Sequence, residues 1–177
     1  MDFSKKSLIY YNSFPLTMIK GIILVEPKHH VNVGSIARSM ACFGFDRLII
    51  VNPAKRMRLD KAAHISEQGK DIIMNSELKE NLSQIEGAKI ATISEHDNLN
   101  HGMKLVPIDE YCWNVEEYLV MGREACGLND EELAQCHVCL TIPTNGKKGI
   151  LNLAQAATIA MYEASKNKRK SWREKWE

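Results

Sequence analysis

The sequence predicts an α/β fold with a mostly parallel sheet and helices on both faces. The chain has 177 residues, of which 45% are apolar and 25% charged, as is typical of one globular domain with a substantial core. Short β-branched apolar runs alternate along it with segments of helical periodicity. The first strand, helix and strand fit within about 30 residues, which is the length of a βαβ unit.

The first third of the chain contains the clearest of these units. Residues 21–26 form an apolar run that suits a strand buried on both faces, and Pro27 ends it. A helix is expected from Asn32, which we interpret as its N-cap, to Gly44, which is placed to end it. A second strand is expected at residues 47–51.

The rest of the chain continues the alternation. The pattern predicts helices near residues 57–63, 67–74 and 77–85, a strand at 88–93, a polar loop at 94–114, strands at 118–121 and 137–142, a helix opening after Asn129, and a final helix at 151–168. We interpret residues 1–20 as an N-terminal extension, 21–168 as the domain, and 169–177 as a basic tail.

Charge and cysteine content narrow the function classes. The formal net charge is +1, so affinity for nucleic acid must come from local clusters of Lys and Arg. The five cysteines are an odd number, no signal-peptide pattern occurs, and no apolar run is long enough to span a bilayer. We therefore expect a cytoplasmic protein that is not embedded in a membrane. The sequence also lacks G-x-G-x-x-G and G-x-x-x-x-G-K-[ST], which removes the main support for dinucleotide and nucleoside triphosphate enzymes.

Three residue clusters follow predicted strands, where open α/β sheets bind ligands. The first contains Asn32, Gly34 and Arg38. Asn32 and Arg38 are either a helix cap and a solvated helix residue, or parts of an anion site at a helix N-terminus. The motif alone does not choose between these interpretations.

The other two clusters follow later strands. Gly122 at a strand end permits a tight turn and close approach to a ligand, and Glu124 beyond it is either an exposed loop acid or a site residue. The third cluster, residues 142–154, is a Gly-rich loop that enters an Ala-rich helix, with Asn152 in the position of an N-cap.

In this order the clusters resemble the three motifs of the TrmH-like branch of the SPOUT superfamily, which are RNA ribose 2'-O-methyltransferases. The motifs are N-x-G-x-x-x-R after the first strand, G-x-E-x-x-G after a late strand, and I-P followed by a loop and L-N-x-A. The resemblance covers about residues 21–166. The sequence around G-R-E is most similar to tRNA methyltransferases that act in the anticodon loop, at the wobble position or the thirty-second nucleotide.

The resemblance implies a deep C-terminal trefoil knot, a homodimer with the active site beside the interface, and S-adenosylmethionine as methyl donor. It assigns cofactor binding to Thr92, Ile93, Ser94, Gly122, Ile142, Ile150, Leu151 and Leu153. It assigns the catalytic site to Arg38, Asn32, Glu124 and Asn152. Ile150 departs from the family pattern, because many relatives carry Ser there. Since a guanidinium stays protonated, we expect Arg38 to align the ribose or its phosphate and to stabilise charge, not to act as a base.

The sequence leaves two alternatives to a tRNA methyltransferase. The first is an enzyme that methylates ribosomal RNA, and the second is a protein that binds RNA without catalysis. Cys136 and Cys139 form a single C-x-x-C, which favours structural cysteines over a metal site.

Two basic clusters lie outside the three motifs. Lys55, Arg56 and Arg58 follow the second strand and are candidates to face RNA. The tail carries Trp172 and Trp176 among basic residues, and either contacts RNA or packs on the protein or a partner.

Overall fold

The computed structural model describes residues 19–94, 105–146 and 149–166. These residues form one sheet of seven parallel strands. The strands are β1 (Gly21–Val25), β2 (Leu48–Val51), β3 (Glu77–Lys79), β4 (Ala88–Ile93), β5 (Leu105–Pro107), β6 (Glu117–Met121) and β7 (Val138–Thr141). The helices are α1 (His30–Phe43), α2 (Leu59–Ile65), α3 (Lys70–Met74), α4 (Asp130–Leu133) and α5 (Leu153–Ala164), with a 3-10 turn at Leu82–Gln84.

The strand order places a topological switch point in the middle of the sheet. The order is β3-β2-β1-β6-β4-β7-β5, so the chain moves outward from β1 to β3 on one side and builds the other side from the later strands. Since all pairs are parallel, the carboxyl ends of β1, β4, β6 and β7 share one edge. Open α/β sheets bind ligands at such a point.

The sheet is covered unevenly on its two faces. Ile22, Leu24, Leu119 and other alternate strand residues pack against α1, α2 and α5 in the larger core. The opposite strand residues, such as Ile23, pack under the 3-10 turn and α4 in a smaller core. The predicted α/β class, with helices on both faces, is therefore confirmed, and the sheet is wholly parallel in the described residues.

Most predicted elements are present, and two predictions were wrong. The helix expected at 77–85 is strand β3 followed by the 3-10 turn. Leu78, Leu82 and Ile85 have helical spacing. However, β3 pairs with β2 and forms hydrogen bonds with its backbone, so tertiary pairing overrides the local pattern. The loop expected at 94–114 contains β5, which pairs with the end of β7. The final helix, expected at 151–168, spans Leu153–Ala164; Lys166 is again helical, and residues 167 and 168 lie outside the described part of the chain.

The start of α1 also differs from the expectation. Asn32 is not the N-cap, because the helix begins two residues earlier and its N-cap is His29, whose side chain makes no capping hydrogen bond. A carboxylate from a distant loop serves this end of the helix instead, as described below. The expected end is confirmed, since Gly44 adopts the left-handed conformation with φ 76°.

Parts of the sequence interpretation lie outside the described residues. These are most of the N-terminal extension, the basic tail with its two tryptophans, and part of the polar loop after β4. Among the residues that the structure does describe, no helix has the length and apolarity to cross a membrane.

Candidate functional site

The three sequence clusters meet at the switch-point edge of the sheet. The first begins in the loop after β1, the second is the turn after β6, and the third leads from β7 into α5. Residues distant in sequence are therefore neighbours here. The Lys28 and His29 backbone N–H groups, for example, donate to the carboxylate of Glu124, 96 and 95 residues away.

A chain of side-chain hydrogen bonds links one residue from each cluster. Asn32 Nδ2 donates to Glu124 Oε1 at 3.1 Å, and Asn152 Nδ2 donates to Asn32 Oδ1 at 3.2 Å. Asn152 Oδ1 accepts from the N–H of Ala154 at 2.9 Å, which confirms it as the N-cap of α5. Asn32 is 7% exposed, so its amide is buried between its two partners.

The environment of Glu124 favours the ionised carboxylate. Burial raises its pKa, but this effect is outweighed by hydrogen bonds from its own N–H, from the Asn32 amide and from the N–H groups of Lys28 and His29. The net result is a pKa below the ordinary value for glutamate. The carboxylate thus holds the loop before α1 in place and adds a fixed negative charge beside the N-terminus of that helix.

We expect Glu124→Gln to lower the free energy of unfolding by about 2 kcal/mol at neutral pH, because the three donors from Lys28, His29 and Asn32 converge on a group that has lost its charge and one acceptor. The carboxylate stabilises the wild type fully above the ordinary glutamate pKa of about 4.3, and this stabilisation is lost as pH falls through the lower folded-state pKa. Denaturant unfolding between about pH 7 and pH 3 should therefore show the two proteins converging in acid.

The matched control is Glu131→Gln. Glu131 is an exposed acid on α4 whose side chain makes no hydrogen bond with a described residue. It should change stability little at any pH. An equal loss in the control, or a difference for Glu124→Gln that stays constant into acid, would contradict a charge-dependent role.

Arg38 lies outside this hydrogen-bond chain. It is on α1, six residues after Asn32, or about 9 Å along the helix axis. Its side chain is exposed and forms no hydrogen bond or ion pair with any described residue. It belongs to an exposed stripe of α1 with Val31 and Cys42. The structure thus brings together Asn32, Glu124 and Asn152, and leaves Arg38 available at the surface.

A cleft that is open to solvent adjoins the chain of hydrogen bonds. Its walls come from the ends of β4, β6 and β7 and the start of α5, and Glu124 is part of its lining. The cleft is also lined by all eight residues that the resemblance associates with a cofactor: Thr92, Ile93, Ser94, Gly122, Ile142, Ile150, Leu151 and Leu153. Ile150 is 70% exposed there. The Thr92 hydroxyl is buried and has no hydrogen-bond partner among the described residues.

These positions can be compared with known proteins. The model of the SpoU rRNA Methylase family matches residues 20–162, which include every element from β1 to nearly the end of α5. The chain belongs to the SpoU rRNA methylase family. The motifs identified in the sequence are thus placed in a SpoU family domain.

One curated relative in this comparison is the tRNA (cytidine/uridine-2'-O-)-methyltransferase TrmJ of Pectobacterium atrosepticum. It is 35% identical over 151 residues, which are 80% of this chain and 62% of the relative. The chain spans about three fifths of the length of the curated relatives it matches.

Two solved structures share the SpoU fold seen here. One, titled for the 2-OH methylation of C/U34 on tRNA, has a TM-score of 0.65 and 25% identity and covers 81% of this chain and 92% of its own. The other is the SpoU methyltransferase AviRb of Streptomyces viridochromogenes in complex with AdoMet, with a TM-score of 0.71 and 20% identity, covering 87% of this chain and 62% of its own. At that identity AviRb supports the fold alone.

The turn after β6 explains the glycine of the second SpoU cluster. A Cβ on Gly122 would lie 2.3 Å from the carbonyl carbon of Gly127 and 2.5 Å from the nitrogen of Leu128. The glycine is therefore required by the chain folding back on itself. The tight turn expected at this glycine is thus present, and it requires glycine for a reason within the protein. Gly127, with φ 64°, closes the turn through paired backbone hydrogen bonds with Arg123.

Arg123, which the sequence analysis did not single out, holds this turn in the SpoU domain. Its Nη1 and Nη2 donate to the two carboxylate oxygens of Glu132 at 2.8 Å, and Nε donates to Glu26 at 2.8 Å. Nη1 also donates to the carbonyl of Gly127 at 3.2 Å. The hydrogen bonds to Glu132, followed by those to Glu26, raise the pKa of Arg123 and lock its charge. An arginine next to Glu124 in the motif was the one sign in the sequence that this position matters. Its partners Glu26 and Glu132 are not sequence neighbours, so the ion pairs could not be predicted from it.

Two cysteines of the C-x-x-C pattern pack inside the smaller core. Cys136 and Cys139 are both buried and neither is in a disulfide, and burial raises the pKa of Cys136 to about 12. A thiol with so high a pKa is a poor metal ligand and nucleophile. Within residues 19–94, 105–146 and 149–166, no group of three or more His, Cys, Asp or Glu side chains is arranged to hold a metal ion.

Proposed function

We propose that the protein transfers a methyl group from S-adenosylmethionine to a ribose 2'-hydroxyl of tRNA, in the anticodon loop. Family membership and the TrmJ relative support the reaction type, and the relative's name supports tRNA and a pyrimidine nucleoside. The solved structure titled for C/U34 supports the wobble position over the thirty-second nucleotide. The observation that carries the proposal is the meeting of Asn32, Glu124 and Asn152 beside one cleft.

The lining of the cleft suits S-adenosylmethionine. It consists mainly of apolar side chains and backbone, as in other small-molecule sites. The unpartnered Thr92 hydroxyl is the kind of group that a ligand satisfies, because a buried polar group without a hydrogen bond costs free energy. We propose that the eight lining residues named above hold this cofactor, which supplies an electrophilic methyl group when bound.

Arg38 is the residue that we propose to contact the substrate. Its exposed guanidinium, unpaired with any described residue, is free to hold the phosphate beside the target ribose and to stabilise charge on the 2'-oxygen. The reaction is an in-line displacement: the 2'-oxygen forms a bond to the methyl carbon, the carbon–sulfur bond breaks, and the hydroxyl proton leaves to the adjoining phosphate or water. Alignment of the two reactants is the main contribution of the protein.

The other three residues have different roles in this proposal. Asn32 is buried and both ends of its amide are occupied, so it is a positioning residue that joins Glu124 to Asn152. Glu124, which lines the cleft, and Asn152 are less buried than Asn32. Through their hydrogen bonds these residues hold the start of α1 against the start of α5. Arg38 lies further along α1, so its position depends on this contact.

We further propose the knot and the homodimer that the sequence resemblance implies, and the cytoplasmic location expected from the cysteine content. Support for the knot comes from the path of the chain after β7. β7 lies beyond β4, yet the helix that follows it packs on α1, which follows β1, and Ser39 and Thr158 share a hydrogen bond of 2.8 Å there. None of the five cysteines is in a disulfide, in keeping with a reducing compartment.

The test of this function uses the purified chain, labelled S-adenosylmethionine, and separate samples of unmodified tRNA and ribosomal RNA. Nuclease digestion with mass spectrometry locates any methylated nucleotide. We expect one 2'-O-methylated pyrimidine in the anticodon loop of tRNA. Methylation of ribosomal RNA alone would favour the other substrate class, and no 2'-O-methylation in either RNA would overturn the proposed function.

A further inference from the structure

A group of basic side chains outside the cleft has no role in the function proposed above. Lys28 follows β1, and Lys55 and Arg56 follow β2; we call these three residues the basic rim. All three are exposed. None forms an ion pair with an acid in the described part of the chain.

The backbone brings the two parts of the rim together. Lys55 and Arg56 are the central residues of a turn closed by the hydrogen bond from Met57 N–H to the carbonyl of Ala54, 2.8 Å long. The N–H of Ala54 donates to the carbonyl of Pro27 at 3.4 Å, which joins this turn to the loop carrying Lys28. Met57 packs against the larger core, so the turn is anchored and its two central side chains point outward.

The nearest acids do not neutralise the rim. Glu26 is hydrogen-bonded to Arg123 and to Asn52, and its pKa is lowered mainly by Arg123. Glu124 is occupied by the donors described above. Both carboxylates therefore have internal partners. Lys28 makes a smaller Coulombic contribution to the lowered pKa of Glu26 without forming an ion pair, and Lys55 and Arg56 form no ion pair with a described residue.

The rim also lies directly beside the candidate site. Lys28 is the residue whose N–H donates to Glu124, so its side chain starts from the border of the cleft. A chain of phosphates that entered the cleft region would thus continue over Lys28 toward Lys55 and Arg56. Clustered Lys and Arg without acid partners on tethered loops fit a polyanionic backbone better than a single small ligand.

We propose that the basic rim binds the phosphate backbone of the RNA substrate, next to the nucleotide that is methylated. This inference rests on the proposed function for the identity of the RNA as tRNA. The contacts are to phosphates and carry no sequence information, so they set affinity and register and leave base choice to the cleft. The neighbouring Arg58 is not part of the rim, because Asp60 holds its guanidinium in a bidentate pair.

The experiment measures binding of unmodified tRNA, without cofactor, as a function of salt concentration. Lys55→Ala with Arg56→Ala is expected to weaken binding about tenfold or more, and to reduce the slope of log affinity against log salt by about 1.5 to 2. Turnover at saturating tRNA should stay close to wild type, whereas KM for tRNA should rise. Lys55→Arg with Arg56→Lys, which keeps both charges, should bind as the wild type does.

The matched control is Arg58→Ala with Asp60→Ala, which changes the same loop region but leaves the net charge unaltered. We expect unchanged affinity and salt slope. Unchanged binding in the Lys55 and Arg56 double alanine variant would overturn the proposal, as would absence of tRNA binding by the wild type. If the rim variant loses binding while the wild type methylates no RNA, the rim stands and the proposed catalysis fails. If the wild type methylates tRNA and the rim variant binds normally, the proposed function stands and the proposal for the basic rim fails.

Discussion

Arg123→Ala is expected to lower the free energy of unfolding by about 3 to 5 kcal/mol, the largest stability effect that we expect from a single residue of this site. Its side chain is 12% exposed and that of its partner Glu132 is 13% exposed. Removal of the guanidinium leaves the Glu132 carboxylate almost buried and without its bidentate partner, and removes a partner of Glu26. A buried charge that has lost its partner is costly because neither solvent nor protein compensates it.

Denaturant unfolding or calorimetry measures this effect. For a chain of this size, the expected loss corresponds to a fall in Tm of roughly 6 to 20 °C. Arg123→Lys should fall between wild type and alanine, because one ammonium group cannot replace the four hydrogen bonds of the fork. A double-mutant cycle with Glu132→Ala should give a coupling energy of about 1 to 3 kcal/mol.

Arg58→Ala is the matched control for Arg123. Arg58 also forms a bidentate pair with an acid, but the side chains of Arg58 and Asp60 are 59% and 55% exposed. Water replaces a lost partner at such a site, so we expect little change in Tm. A loss for Arg123→Ala no larger than for Arg58→Ala, or a coupling energy near zero, would contradict the role of Arg123 as the clamp of the turn.

Arg38→Ala is expected to have the largest effect on turnover, a loss of about 100 to 1000-fold. The reason is that Arg38 is the only basic side chain on the exposed stripe of α1 among the described residues, and it forms no ion pair with a described acid. Arg38→Lys should lose most of the same activity, since an ammonium group lacks the planar fork that holds a phosphate by two hydrogen bonds. Single-turnover methylation at saturating RNA and cofactor measures both variants.

Stability and cofactor binding separate this effect from misfolding. Since the Arg38 side chain is exposed, its variants should unfold within about 0.5 kcal/mol of the wild type. They should also bind S-adenosylmethionine as the wild type does. Cys42→Ala, on the same exposed stripe, is the control and should leave turnover unchanged. Nearly full turnover by Arg38→Lys would contradict a role that depends on the geometry of the guanidinium.

The interior of the sheet was predictable because its signal is local. Strands buried on both faces read as continuous apolar runs, and β1, β2, β4, β6 and β7 all lie at or within two residues of the expected positions. Asn152 was predictable as an N-cap for a similar reason, since its acceptor and the Ala154 donor are two residues apart. The short edge strands were missed. β3 and β5 have three residues each, and their conformation is set by pairing with β2 and β7.

The sequence by itself determined the α/β class and the fact that three clusters would converge, because the carboxyl ends of parallel strands share one edge. Only the tertiary structure decided what each residue does there. Asn32 joins two distant residues and does not cap its helix, and Gly122 is glycine because of the Gly127 backbone. Arg123 reaches Glu26 across 97 residues of sequence. Local patterns encode the elements, but a hydrogen bond between distant loops depends on how the whole sheet assembles, which no short pattern contains.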